Sequence, residues 1–231
     1  MDELKEILDW FEANRNPDNV AGMARFGIET SNALGISLPA LRKMASHYRR
    51  RHDMALALWD TGIHEARIMA SIVEDPSQLT PEQMDDWTAE FDSWDICDQC
   101  CNNLFSLAPF VRNKISVYCN DERQFVRRAG FVLMATLAVH AREITDDDAA
   151  EWFTLIKLYS TDGRNFVRKA VNWALRQIGK RNTRLNAKAA DVARTLVDAD
   201  DRTARWIGRD ALRELTSPRT LEFIVNHRNR I

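Results

Sequence analysis

Two rows of side chains in this sequence are spaced for chemistry. Trp94, Asp98, Cys101 and Phe105 follow one another at intervals of four, three and four residues, which places them on one face of a helix expected over 93–107. A carboxylate one turn from an indole on a mostly apolar row requires a hydrogen-bond or cationic partner if it is buried, because an unpaired buried charge is costly. In chemical terms it is a carboxylate held beside an aromatic wall. In structural terms it is an Asp pairing with an Arg of a neighbouring helix. Asp92 and Asp95, at the start of the same segment, suit the helix N-terminus, where negative charge is favoured. Lys169, Trp173, Arg176 and Lys180 repeat the same spacing on a helix expected over 163–181. There Phe166, Val167, Ala170, Val171, Ala174, Leu175 and Ile178 form the buried arc, and Trp173 lies off its centre. An aromatic among three cations is a mix that grips nucleic acid, the cations neutralising phosphates while the ring contacts a sugar or base. The competing structural role is an indole packed on the next helix pair with lysine stems laid over it.

Other reactive types form no site. Cys97, Cys100, Cys101 and Cys119 lack the separated pairs or histidine partners of a zinc centre, and the first three suit a small apolar helix face, so no metal is expected. The five histidines make no motif. No phosphate loop, nucleophile elbow or dinucleotide fingerprint occurs, so no cofactor and no nucleotide-dependent chemistry is expected.

Positioning the two rows is a task for helices. Of 231 residues only 8 are Gly and 6 Pro, and the apolar residues recur with the helical period almost throughout. Pro39, Pro81, Pro109 and Pro218 mark helix starts, as do polar caps such as Asp146, Thr161-Asp162 and Asp200-Asp201. About a dozen helices joined by short loops are predicted. A short segment also repeats: Ala66-Arg67-Ile68-Met69-Ala70, Val126-Arg127-Arg128-Ala129-Gly130, Val167-Arg168-Lys169-Ala170-Val171 and Ala204-Arg205-Trp206-Ile207-Gly208. The last two intervals between repeated arginines, 41 and 37 residues, are near the period of HEAT-type helix pairs. The expected architecture is all-α: a single domain over 1–231, a HEAT-like or armadillo-type α-solenoid of stacked antiparallel helix pairs with a concave basic groove. By the repeat register Arg128 takes the place of Lys169 and faces that groove, while Arg127 turns towards the neighbouring helix.

Net charge at pH 7 is −2, a sum that conceals a division. Residues 1–120 carry 11 Lys and Arg against 19 Asp and Glu, and residues 121–231 carry 21 against 15. Eight cations and no acid lie within 163–190, either a field of one sign that bears on partners or a solvated basic helix face balanced by acidic neighbours. No apolar run approaches the roughly 20 residues of a bilayer span, and the acidic, amphipathic start is unlike a signal peptide. Four cysteines make no disulfide framework, so a cytoplasmic protein without membrane contact is expected.

These segments resemble the DNA alkylation repair family of the AlkD type, the HEAT-like-repeat alkylpurine DNA glycosylases. The motifs that carry the resemblance are Ser93-Trp94-Asp95-Ile96-Cys97-Asp98, Phe125-Val126-Arg127-Arg128-Ala129 and the run from Phe166 to Arg176. The flanking Met23-Ala24-Arg25-Phe26 and Ala211-Leu212-Arg213-Glu214-Leu215 extend it over nearly the whole chain. The resemblance implies catalytic-site roles for Trp94, Asp98, Arg128 and Trp173, with Arg127 as the alternative to Arg128. Lys169, Arg176, Lys180, Arg168, Arg181 and Arg127 would contact DNA. It implies a monomer acting on alkylated double-stranded DNA: hydrolysis of the N-glycosidic bond of a cationic N3- or N7-alkylated purine, Asp98 stabilising the oxocarbenium-like sugar and orienting water. Ser93 stands where family members tend to have a second aromatic. A DNA-binding or structure-sensing module without excision activity, and a protein-interaction scaffold, are the alternatives from other classes.

Overall fold

The computed structural model describes residues 2–141 and 144–228. Among them every regular element is helical, and they fall into two compact units, Met1–Val111 and Arg112–Ile231.

The first unit contains α1 (Asp2–Ala13), α2 (Pro17–Arg25), α3 (Leu38–Ala45), α4 (His52–Asp60), α5 (His64–Val73), α6 (Pro81–Ala89) and α7 (Trp94–Asn103), followed by a 3₁₀ turn at Phe105–Leu107. α5 packs against α3, α4 and α7. Trp59 and Trp87 stack at 4.2 Å between ring centroids, and the Arg67 guanidinium lies 5.0 Å over Trp59 while pairing with Glu90 at 2.5 Å. The loop 26–37, which precedes α3, is held by a buried acid. Glu65, 1% exposed, accepts from the backbone N–H groups of Leu34 (2.9 Å), Gly35 (2.6 Å) and Ile36 (3.2 Å). Gly35 has φ +78°, and a Cβ there would lie 2.1 Å from the Asn16 carbonyl oxygen, so only glycine fits the turn.

The second unit contains α8 (Val111–Asn120), α9 (Gln124–His140), α10 (Asp146–Leu158), α11 (Asn165–Gly179), α12 (Thr183–Val197), α13 (Arg202–Leu215) and α14 (Pro218–Arg228). α11 is its centre and packs against α9, α10, α12 and α13. The caps follow short polar residues: Asn182 accepts from Leu185 N, and Asp201 from Thr203 N and Ala204 N. α10 opens with a capping box formed by Thr145 and Asp148, so its cap is one residue before the expected Asp146.

Both elements predicted with bounds differ in extent: the 163–181 helix is found as Asn165–Gly179, with Arg164 and Lys180 as its caps. The 93–107 helix ends at Asn103, because Leu104 leaves helical geometry (φ −129°, ψ −62°) and the chain continues as the 3₁₀ turn. Cys101 and Phe105, on the expected row, are both fully buried. They anchor α7 and its turn in the core.

Candidate functional site: an indole-carboxylate pair and a cationic unit

Trp94 and Asp98 are half-buried on α7, one turn apart. The indole is fixed in place: Trp94 Nε1 donates to the Phe26 carbonyl at 3.1 Å. Ser93, fully buried at the N-cap, makes no side-chain cap; its Oγ instead accepts from Glu29 N at 2.8 Å. Both bonds tie the start of α7 to the loop 26–37 that Glu65 holds. Asp98 also anchors its own helix, its carbonyl accepting from Asn102 Nδ2 at 2.8 Å. Next to it, Gln99 Oε1 accepts from Arg42 of α3 at 3.3 Å.

Asp95 does more than complement the helix N-terminus. Its Oδ2 lies 2.9 Å from His64 Nε2, and the His64 side chain is 4% exposed. Burial pushes the His64 imidazole towards its neutral form, but the hydrogen bond and charge of Asp95 outweigh it and raise its pKa above the ordinary value. The pair joins the starts of α5 and α7, and His64 N also donates to Asn32 O at 3.1 Å.

Sequence reasoning passed over Phe26 as a chemical group. Its side chain is 69% exposed, on the residue whose carbonyl receives the Trp94 indole. An exposed aromatic directly after α2 was the available signal, and only the hydrogen bond across 68 positions reveals where it stands.

In the second unit Arg128 is 6% exposed, and its Nη1 donates to the Phe166 carbonyl at 2.6 Å, joining α9 to the first turn of α11. Phe125 and Phe166 lie beside that link, ring centroids 5.7 Å apart. Arg127 is turned to other neighbours. It pairs with Asp162 at 2.8 Å, donates to the Cys119 carbonyl at 3.1 Å and lies 4.4 Å over the Tyr159 ring. Arg168 likewise lies 5.1 Å over Trp206. The repeated arginines 67, 127 and 168 thus share one device, a guanidinium laid over a ring.

The α11 row is also less bare than its local sequence. Trp173 is half-buried, and the Gln177 amide, turned with its oxygen towards them, accepts from Trp173 Nε1 at 2.9 Å and Lys180 Nζ at 3.3 Å. Glu214 of α13 pairs with Arg176 at 2.5 Å and with Lys180 at 2.8 Å. Burial raises the Glu214 pKa, but Lys180 and Arg176 more than offset this and hold it below the ordinary value. Lys169 is exposed and has no pairing partner among the described residues. Arg181 donates to the Ala138 carbonyl at 3.1 Å; burial and the charge of Arg112 lower its pKa.

The cysteines are free and buried, and burial holds the Cys100 and Cys119 thiols well above the ordinary range, which keeps them neutral. Among the described residues no group of three or more His, Cys, Asp or Glu could hold a metal ion, and no helix is long and apolar enough to cross a membrane.

Residues 7–215 match the sequence model of a family described as DNA alkylation repair enzyme. No curated protein matches the chain. Among solved structures, a protein from a new family related to the HEAT-like repeat DNA glycosylases, with affinity for branched DNA structures, superposes with a TM-score of 0.76 at 16% identity, over 91% of this chain and 94% of that one. At that identity the likeness establishes the fold, and the all-α HEAT-like repeat architecture expected from the recurring arginine segments is the one found.

Proposed function

The chain belongs to the DNA alkylation repair enzyme family, and on that premise we propose that it is a monofunctional glycosylase that releases N3- or N7-alkylated purines from duplex DNA. Such a purine is cationic and leaves without a general acid. The demand on the protein is to stabilise the positive charge that moves onto the deoxyribose and to position a water. Asp98 suits both tasks, as carboxylates do at other oxocarbenium-like transition states. Trp94 contacts the sugar and the cationic base through its ring, and Trp173 of α11 offers DNA a further aromatic contact. Phe26, an exposed residue whose backbone carbonyl holds the Trp94 indole, is the aromatic assigned here to the surface that Ser93 does not supply. Arg128, anchored by its bond to the Phe166 carbonyl, contacts a flanking phosphate. Lys169, Lys180 and Arg176 add sequence-independent phosphate contacts.

The observation that carries this reading is the fixed pair on α7: an indole tethered by its N–H, one turn from a half-buried carboxylate. The direct test is release of free alkylated base from methylated duplex DNA. Wild type releases it and Asp98→Asn does not. If wild type releases none across a panel of N3- and N7-alkylated purines, the glycosylase reading fails.

Two observations favour a second reading, binding to DNA structure without excision. The solved relative is described by its affinity for branched DNA, and the Ser93 hydroxyl is committed to Glu29 where family members tend to carry an aromatic. Tight, salt-sensitive binding to branched DNA without base release from any lesion would select it.

A further inference from the structure

α13 carries a second row with the spacing of the α11 row: Arg202, Trp206, Arg209 and Arg213, at intervals of four, three and four. The two rows differ in what surrounds them. On α11, Glu214 neutralises Arg176 and Lys180. On α13, Arg202 and Arg209 are exposed and have no partner among the described residues. Arg213 pairs with Asp210 but keeps 79% of its side chain exposed. Asp210, the acid among the residues that line a cleft beside the row, turns its other oxygen to Asn172 of α11 at 2.7 Å. These residues and Arg205 line an open cleft of about 430 Å³. Arg205 is fastened to the Ala199 and Asp200 carbonyls at 3.0 and 2.6 Å.

Trp206 decides what this row can hold. The residue is 38% exposed, and Arg168 lies 5.1 Å over its ring. A duplex presents phosphates to such a surface but keeps the faces of its bases stacked inside. An unpaired strand presents both, and an indole flanked by cations is the pairing that single strands use, base on ring and phosphate on guanidinium.

We propose that the α13 row is a second nucleic-acid site that takes an unpaired DNA strand, with Trp206 stacking on a base and Arg202, Arg209 and Arg213 neutralising the adjoining phosphates. The inference rests on the DNA-repair reading only for the choice of DNA as the polymer.

The test is binding of the full-length chain to fluorescein-labelled oligo-dT, which forms no duplex, beside a labelled duplex of equal length. Wild type binds oligo-dT. Trp206→Ala weakens that binding about tenfold and duplex binding much less, and Trp206→Phe, which keeps a ring, restores most of it. Replacing Arg202 and Arg209 with Gln flattens the salt dependence of oligo-dT binding by about 0.7 in log–log slope for each phosphate no longer neutralised. Melting curves confirm that each variant is folded. The proposal is overturned if wild type does not bind oligo-dT, if Trp206→Ala binds it as wild type does, or if the substitution weakens duplex and single strand alike. Base release from methylated duplex is scored separately. Loss of the α13 result with release intact sinks this inference alone, and absence of release with oligo-dT binding intact sinks the excision reading alone.

Discussion

Among the described residues, the buried charged residues of the first unit are Glu65, Glu74 and His64; in the second unit Arg128 is buried, and the Asp162 side chain is 8% exposed. Glu65 gathers three backbone N–H groups of the loop before α3. Glu74 accepts from Asp75 N and Gln83 and lies 2.9 Å from His52. Asp95, nearly as enclosed, joins α7 to α5 through His64. The first unit thus turns part of its acid excess inward, where the carboxylates serve as acceptors for loops and helix starts. The second unit reverses the signs: Arg127 and Arg164 converge on Asp162, Arg128 holds the Phe166 carbonyl, and Lys169, Arg202 and Arg209 remain outside. Net charge per segment therefore overstates the negative surface of the first unit and says little about which cations of the second are available.

This contrast can be broken or sharpened by substitution. The largest effect on stability is expected at Glu65. Glu65→Ala leaves three N–H groups without their acceptor, and at 1–3 kcal/mol for each unsatisfied group, after partial relaxation, about 4 kcal/mol is lost. Urea unfolding followed by circular dichroism reads it, and an unchanged midpoint would break the claim that inward carboxylates hold the first unit. The second unit depends more on close helix contact. At Gly208 an added Cβ would meet Val197 N at 2.6 Å and Ala193 O at 2.7 Å, both backbone atoms, so Gly208→Ala forces α12 and α13 apart. The same unfolding measurement should show a loss of about 2 kcal/mol.

A comparable effect depends on pH. Burial raises the Asp162 pKa, but hydrogen bonds from Arg164 and Arg127 outweigh it and bring the carboxyl to about 2, from an ordinary 3.8. A depressed carboxylate contributes stability above its unfolded pKa and loses it as pH falls through the folded one. About 2 kcal/mol should therefore disappear between roughly pH 4 and pH 2. Asp162→Asn flattens that limb of the stability profile; an unaltered limb would mean that the two arginines do not depend on the charge. The smallest stability effect is expected at Glu214, whose ion pairs are partly solvated. Glu214→Gln changes stability by less than about 1 kcal/mol. By releasing Arg176 and Lys180 it tightens duplex binding and steepens its salt dependence, measured by fluorescence anisotropy. Unchanged DNA binding would show that α11 cations do not meet phosphate.

Much of this was legible in the sequence because it is local. Proline and polar caps mark Pro81, Pro218 and Asp201 as helix starts, and the α11 arc is buried as its period demands, apart from half-buried Phe166. The turning of Arg127 towards its neighbours followed from the repeat register. What escaped depends on distant positions. The acid-free stretch 163–190 receives its acids from α13, 38 residues on in the case of Arg176 and Glu214. The Ser93 hydroxyl reaches a loop 64 residues back, and the Trp94 indole one 68 residues back. The break at Leu104 has no glycine or proline at the residue itself to announce it, and Pro109 lies beyond the turn.

We propose that Asp98 carries the chemistry on α7. Its most direct test is the single-turnover rate of 7-methylguanine release from a duplex carrying that lesion, wild type against Asp98→Asn, with duplex affinity measured alongside. Wild type should release the base, and the variant should do so at a rate at least about a hundredfold lower without weaker binding. Release by Asp98→Asn at the wild-type rate would contradict it.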